Sequence, residues 1–282
     1  MTGWKFAFSR RWAGYLVLTM LFAAVCAGLG VWQLARRDEA LTELFKIDSN
    51  FDSNPVPVAE ALKDLTAFDE SQKWMPVELT GTYLSADEML ARNRPLNVNP
   101  GFEVLTPLLL TDGTIFIVDR GWLPTGQEQD APDTVPAAPV GMVTVVARLK
   151  ASEPDLPGRT ASGNQVATIN LITIAERLDA PTYTGAYGLM DTESPAATEK
   201  RPTAVLKPIR DEGPHLSYAF QWFVFGLLAF IGLGWALREE YRSVNAEDPE
   251  ERERAEERAR KRAAKPRNDA EIEDELVDRQ RG

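Results

Sequence analysis

Two stretches of the chain are apolar without a break, and most of what lies between them alternates. Trp12 to Trp32 (WAGYLVLTMLFAAVCAGLGVW) and His215 to Leu237 (HLSYAFQWFVFGLLAFIGLGWAL) contain no Asp, Glu, Lys or Arg. About 20 such residues at about 1.5 Å per residue match a hydrocarbon core about 30 Å thick, so each stretch predicts a membrane-spanning helix. Aromatic residues bracket the first stretch, as interfacial anchoring produces. Its apolar run is longer than a secretory signal core and lacks a small-residue cleavage site before a polar start, which predicts a retained anchor.

The first helix is expected to run on through QLARRDEALTELF, with Leu34, Leu41, Leu44 and Phe45 at helical spacing, and to end near Asp48. A short helical start follows at Val58. From Met75 the period drops to two. Strands are expected at Val77–Thr80 resuming at Tyr83, at Met89–Asn93, Phe102–Leu110, Thr114–Asp119 and Met142–Leu149, with short ones at Gln165–Ile169 and Ala204–Leu206. Thr111-Asp112-Gly113 predicts a hairpin turn, and Arg120 to Pro124 closes the fourth strand. Asn170 caps a small helix over Leu171–Leu178. A Pro-rich excursion after Pro124, the segment SEPDLPGRTASGN and the polar run Asp191–Pro202 read as loops.

The expected fold is a membrane protein with two transmembrane α-helices flanking a mostly-β exterior domain, a small antiparallel barrel or sandwich with one or two short helices. Its segments are a cytoplasmic tail (1–11), a span (12–32), the exterior domain (33–214), a second span (215–237) and a charged cytoplasmic tail (238–282). That last tail has no apolar stripe and is expected to be a solvated helix, partly disordered.

Charge narrows the function. A formal net charge of -11 argues against a nucleic-acid partner, which would need a clustered basic surface. One cysteine and one histidine leave no intrachain disulfide, no zinc or iron–sulfur ligand set and no paired thiols for copper. The only histidine lies at a membrane lip, so the exterior domain has no nucleophile–base pair and no enzyme is expected; nothing in the carboxylate spacing proposes one. Lys5, Arg10 and Arg11 before the first span, with Arg238 and Arg242 after the second, orient both termini to the cytoplasm, against the opposing pull of Arg36 and Arg37.

Four motifs in order carry a family likeness: Gly30-Val31-Trp32-Gln33-Leu34-Ala35-Arg36-Arg37; Arg92-Asn93-Arg94; Gly101 to Pro107 with Val118 to Pro124; and His215 to Phe223. Together they resemble the surfeit-locus (Surf/Shy) family of assembly factors for haem-copper cytochrome c oxidase. The resemblance implies a bacterial plasma (inner) membrane protein that assists haem a insertion or stabilises a subunit I intermediate, with oxidase subunit I and other assembly factors as partners. It also implies a possible, transient haem a site, since some bacterial members are reported to bind haem through the histidine matching His215. The long charged tail and the Pro-rich loop depart from the family pattern.

Each site residue admits two readings. His215 can ligate haem iron, with Tyr218 and Trp222 on its helical face to line the macrocycle, or it and the aromatics can sit at the lip because amphipathic rings prefer that depth. Trp32 and Gln33 reach the same lip from the first span; the small residues below them serve helix packing or leave a cofactor slot. Cys26 reads as a small apolar filler. Arg120 and Trp122 can meet a propionate or a partner's carboxylate, or can pair internally and plug the barrel end, and Arg92 and Arg94 share that ambiguity. The competing function is a scaffold for oxidase subunits that never touches haem.

Overall fold

The computed structural model describes residues 3–127, 131–156, 158, 163–198 and 200–264. They form two units: Met1–Asp38 with Gly213–Gly282, and Glu39–Glu212.

The second unit is a barrel. Its strands are β1 (Val56–Pro57), β2 (Pro76–Tyr83), β3 (Met89–Ala91), β4 (Gly101–Leu110), β5 (Ile115–Pro124), β6 (Met142–Ala151), β7 (Gln165–Val166) and β8 (Ala186–Ser194). The order β2-β6-β8-β5-β4 closes through a further pairing of β2 with β4, so a barrel and not a sandwich is the observed form. The β4–β5 hairpin turns where expected: Gly113 takes φ +84°, and the Asp112 carboxylate accepts the Thr114 N–H at 2.9 Å. Three pairings are parallel, β1–β2, β3–β7 and β5–β8, so the sheet is less antiparallel than its alternation suggests.

Burial explains the layering. β6 buries one face, with Val143, Val145, Ala147 and Leu149 turned into the barrel beside Val77, Leu79, Leu108, Phe116 and Val118. β5 is buried on both faces: Ile115 and Ile117 point the other way, into a second cluster with Leu105, Tyr187, Leu189, Leu171 and Ile174. The end of α1 (Arg10–Asn50) adds Leu44 and Ile47 to that cluster, followed by Phe51, while Phe45 is exposed. The helical face was expected to carry Phe45; one residue of rotation, about 100°, instead favours the 44/47/51 row. Leu34 is also exposed.

Four further expectations change. Strand β5 does not close at Arg120 but continues through Pro124. The Asp191–Pro202 stretch is not all loop, because its first four residues finish β8. Ala204–Leu206 forms no strand; Thr203 alone bridges to Trp122. Gln165–Ile169 keeps two strand residues. Helix α2 (Val58–Ala61) starts as expected, and α3 (Leu171–Ala175) has its Asn170 cap, whose side chain accepts the Thr173 N–H at 3.0 Å.

The first unit is helical. α1 up to Asp38 and α4 (His215–Val244) run antiparallel, and both helices are long and apolar enough to cross a membrane. At about 1.5 Å per residue, α4 is about 45 Å long. Helix α5 (Pro249–Ala263) follows, with Asp248 as its N-cap and ion pairs such as Lys261–Glu257 at one-turn spacing. The tail beyond 264 lies outside the described residues.

Candidate functional site

The helical unit packs through small residues. A Cβ on Gly30 would stand 2.7 Å from the Phe223 ring, and one on Gly226 would stand 3.5 Å from Cβ of the buried Cys26. Such gaps let two apolar helices approach closely. Arg11 pairs with Glu240, and Trp4 stacks on Tyr241 with ring centroids 4.4 Å apart.

At the other end of this contact Gln33 and His215 form a polar pair between the helices. His215 Nδ1 lies 2.9 Å from Gln33 Oε1, linking residues 182 positions apart. His215 is the first residue of α4, after Pro214 and a Gly213 at φ +69°. A Cβ on Gly213 would come within 3.1 Å of His215 Nε2 and 3.2 Å of Cδ2, so this edge of the ring lies against Gly213 and a larger residue would crowd it. Around the pair, Trp32 is about half exposed and Tyr218 likewise, while Trp222 is half-buried and sets its ring edge-on to Phe225 at 5.9 Å. The guanidinium of Arg36 lies 5.8 Å from the Trp32 ring centroid.

The single imidazole fits a haem iron in one respect that the structure exposes. With Nδ1–H donated to the Gln33 carbonyl, the lone pair stands on Nε2, at the edge beside Gly213. Among the described residues no group of three or more His, Cys, Asp or Glu side chains is gathered for a metal ion.

In the barrel, Arg120 is fully buried. Its Nη1 and Nη2 donate to the carbonyls of Pro136 (2.9 Å) and Ala137 (3.1 Å), Glu88 lies 3.5 Å away, and the Tyr83 ring centroid is 5.6 Å from its Cζ. These contacts tie the Pro-rich loop to the barrel. Its neighbour Asp119 faces the other layer and accepts the Gly121 N–H at 2.9 Å, which holds Gly121 at φ +128°. Trp122 donates its indole N–H to the Arg94 carbonyl at 2.6 Å and lies across Gly101, where a Cβ would be 2.4 Å from the ring.

Arg94 is the centre of a charged cluster that sequence reasoning touched only at its edge. Its guanidinium forks onto Glu153, with Nη1 to Oε1 at 2.9 Å, and its Nε lies 3.2 Å from Glu103. Glu153 also accepts the Ile169 N–H at 3.0 Å. Burial pushes the Glu153 carboxyl up, but the Arg94 and Ile169 hydrogen bonds outweigh it and hold it below the usual range. Burial raises Glu103 against the pull of Arg94 and Lys150. Asp119, wholly buried and near Glu103, is pushed up to about 8 by burial and then by that neighbouring carboxylate. Asp119 Oδ2 and the Tyr187 hydroxyl have no hydrogen-bond partner.

Comparison with known proteins places this geometry. The model of the SURF1 family matches residues 20–227. An uncharacterised SURF1-like protein of Mycobacterium bovis is 32% identical over 242 residues, 84% of this chain and 87% of that one. The chain belongs to the SURF1 family. The cytochrome oxidase assembly protein SHY1 of Saccharomyces cerevisiae is 27% identical over 128 residues, 44% of this chain and 32% of its own length. A SURF1-like protein of Dictyostelium discoideum is 26% identical over 110 residues. The SURF1 match takes in Gln33, Gly213 and His215 as well as the whole barrel, and stops before helix α5.

Two features of this SURF1 chain escaped the sequence reading. Gly213 could have been noticed as a glycine two residues before the only histidine. The Arg94–Glu103–Glu153 cluster leaves no local signal, since its three members come from a loop, a strand and the segment after another strand.

Proposed function

We propose that this protein is a membrane-anchored assembly factor for haem-copper cytochrome c oxidase that holds haem a at His215 while subunit I matures. The observation that carries the reading is the His215–Gln33 pair, which engages Nδ1 and so puts the lone pair on Nε2. Haem a, when bound, would supply an iron for that nitrogen to ligate. His215 binds, Gln33 orients it, and Tyr218, Trp222 and Trp32 supply aromatic surface beside it.

The large apolar side chains left uncovered on both helices, among them Leu21, Val25, Phe220 and Leu228, support two membrane spans. The basic residues at the outer ends of the pair put both termini in the cytoplasm of a bacterial plasma membrane and the barrel outside. The name of the yeast relative supports oxidase as the client. No reaction is assigned; the role is differential binding, tight to an intermediate and weaker to the finished enzyme.

A second reading is favoured by Arg120. Its guanidinium is committed to Pro136 and Ala137 carbonyls, which suits a domain built to be a rigid scaffold for subunits better than one gripping propionates. The test is complementation. In a strain lacking this chain, wild type is expected to restore assembled oxidase in membranes, read by its a-type absorption band, and His215→Ala to leave it low. Full restoration by His215→Ala selects the scaffold, and unchanged oxidase in the deletion strain overturns both readings.

A further inference from the structure

Gln33 projects a polar amide between two largely apolar helices, and such a group must find a partner. Its partner is Nδ1 of the only histidine in the chain, at 2.9 Å. A neutral imidazole carries one proton on two nitrogens, and the hydrogen bond made by one decides the chemistry of the other. A carbonyl acceptor at Nδ1 draws the proton there. Free histidine prefers the opposite arrangement, with the proton on Nε2, so the contact selects against the intrinsic preference. Gly213 lies beside Nε2, where its φ of +69° and the 3.1 Å that a Cβ would leave both call for glycine.

We propose that Gln33 is a positioning residue for His215: its side-chain carbonyl fixes the Nδ1-protonated tautomer and leaves the lone pair on Nε2, at the ring edge beside Gly213. Gln33 therefore acts through His215 and not as a contact to the macrocycle. The consequence for binding rests on the reading of His215 as an axial ligand; the tautomer does not. Partners of this kind raise ligand basicity and fix ring orientation, and losing one costs about tenfold to a hundredfold in metal affinity.

A single histidine makes the test direct, because the full-length protein labelled with 15N-histidine gives only one pair of ring-nitrogen signals. In haem-free protein in lipid nanodiscs, the proton is expected on Nδ1 in wild type, on Nε2 in Gln33→Leu, and again on Nδ1 in Gln33→Glu, which keeps an acceptor. A merely structural contact predicts no such exchange and no rescue. Wild type with the proton on Nε2, or Gln33→Leu with an unchanged pattern, overturns the proposal. Titration with ferric protohaem then separates the two levels. Gln33→Leu is expected to bind about tenfold to a hundredfold more weakly than wild type, and Gly213→Ala to lose affinity while keeping the proton on Nδ1. Nδ1 protonation in wild type with no binding by any variant overturns the ligand reading and leaves the tautomer assignment supported.

Discussion

The two units of this protein are built with opposite polarity. In the barrel, apolar side chains are inside and the charges that enter are paired: Arg94 holds Glu103 and Glu153, and Arg120 is bound by backbone carbonyls. In the helical unit, large apolar residues face outward, the buried positions include Cys26, Ala219, Gly226 and Trp12, and the His215–Gln33 pair is part-buried. Exposure of the same side-chain type thus has two meanings. Leu228 on α4 is 51% exposed and Ile172 on the barrel unit is 63% exposed, yet the first has uncovered apolar neighbours such as Leu227 and Ile231, and the second stands beside polar Thr173. On the proposed reading of the two helices as membrane spans the solvent differs, and with it the cost of a charge.

The barrel side of this contrast breaks hardest at Arg94. Arg94→Met leaves two partly buried carboxylates without their cation and is expected to cost about 3–5 kcal/mol, read as a lowered unfolding midpoint of the barrel. Adding Glu103→Gln and Glu153→Gln should recover most of it. Next, Leu228→Arg should cost about 2.5–3.5 kcal/mol of helix insertion if that position faces the bilayer centre, while Ile172→Arg should move barrel stability by less than about 0.5 kcal/mol. Equal effects at the two positions would erase the comparison.

The smallest expected effect concerns Asp119. Its folded value, about 8, lies above the ordinary 3.8, so the folded barrel keeps a proton that the unfolded chain has released. Its contribution to stability is full below the ordinary value and is lost as pH rises toward about 8, at up to about 1.4 kcal/mol per pH unit. Urea midpoints at pH 6 and pH 8 should therefore fall for wild type. Asp119→Asn, which still accepts from Gly121, should flatten that fall, with Glu103, shifted in the same direction, leaving a residual slope.

Much of the frame was legible in the sequence, for physical reasons that name its gaps as well. Uninterrupted apolar runs gave the two long helices, Asp112-Gly113 gave the hairpin, and Asn170 gave a cap. Strand β8 was missed because its first half, Ala186–Met190, is buried on both faces and its second half is polar, so no period of two survives. Since β8 pairs with both β5 and β6, missing it hid the closure of the barrel. At the site, Gln33 and His215 were each placed at a membrane lip. Their pairing needed the relative rotation of two helices, which the packing of Gly30 on Phe223 decides and no local pattern encodes. Arg120 was ambiguous because a buried arginine and a ligand-binding one leave the same mark after a strand.

The central claim is that His215 holds haem a, and an optical spectrum tests it most directly. The full-length protein would be purified in detergent from cells that make haem a, beside His215→Ala. A haem band present in wild type and lost in the variant is the predicted result. A wild-type protein without haem despite adequate supply, or a band that survives in His215→Ala, would contradict it.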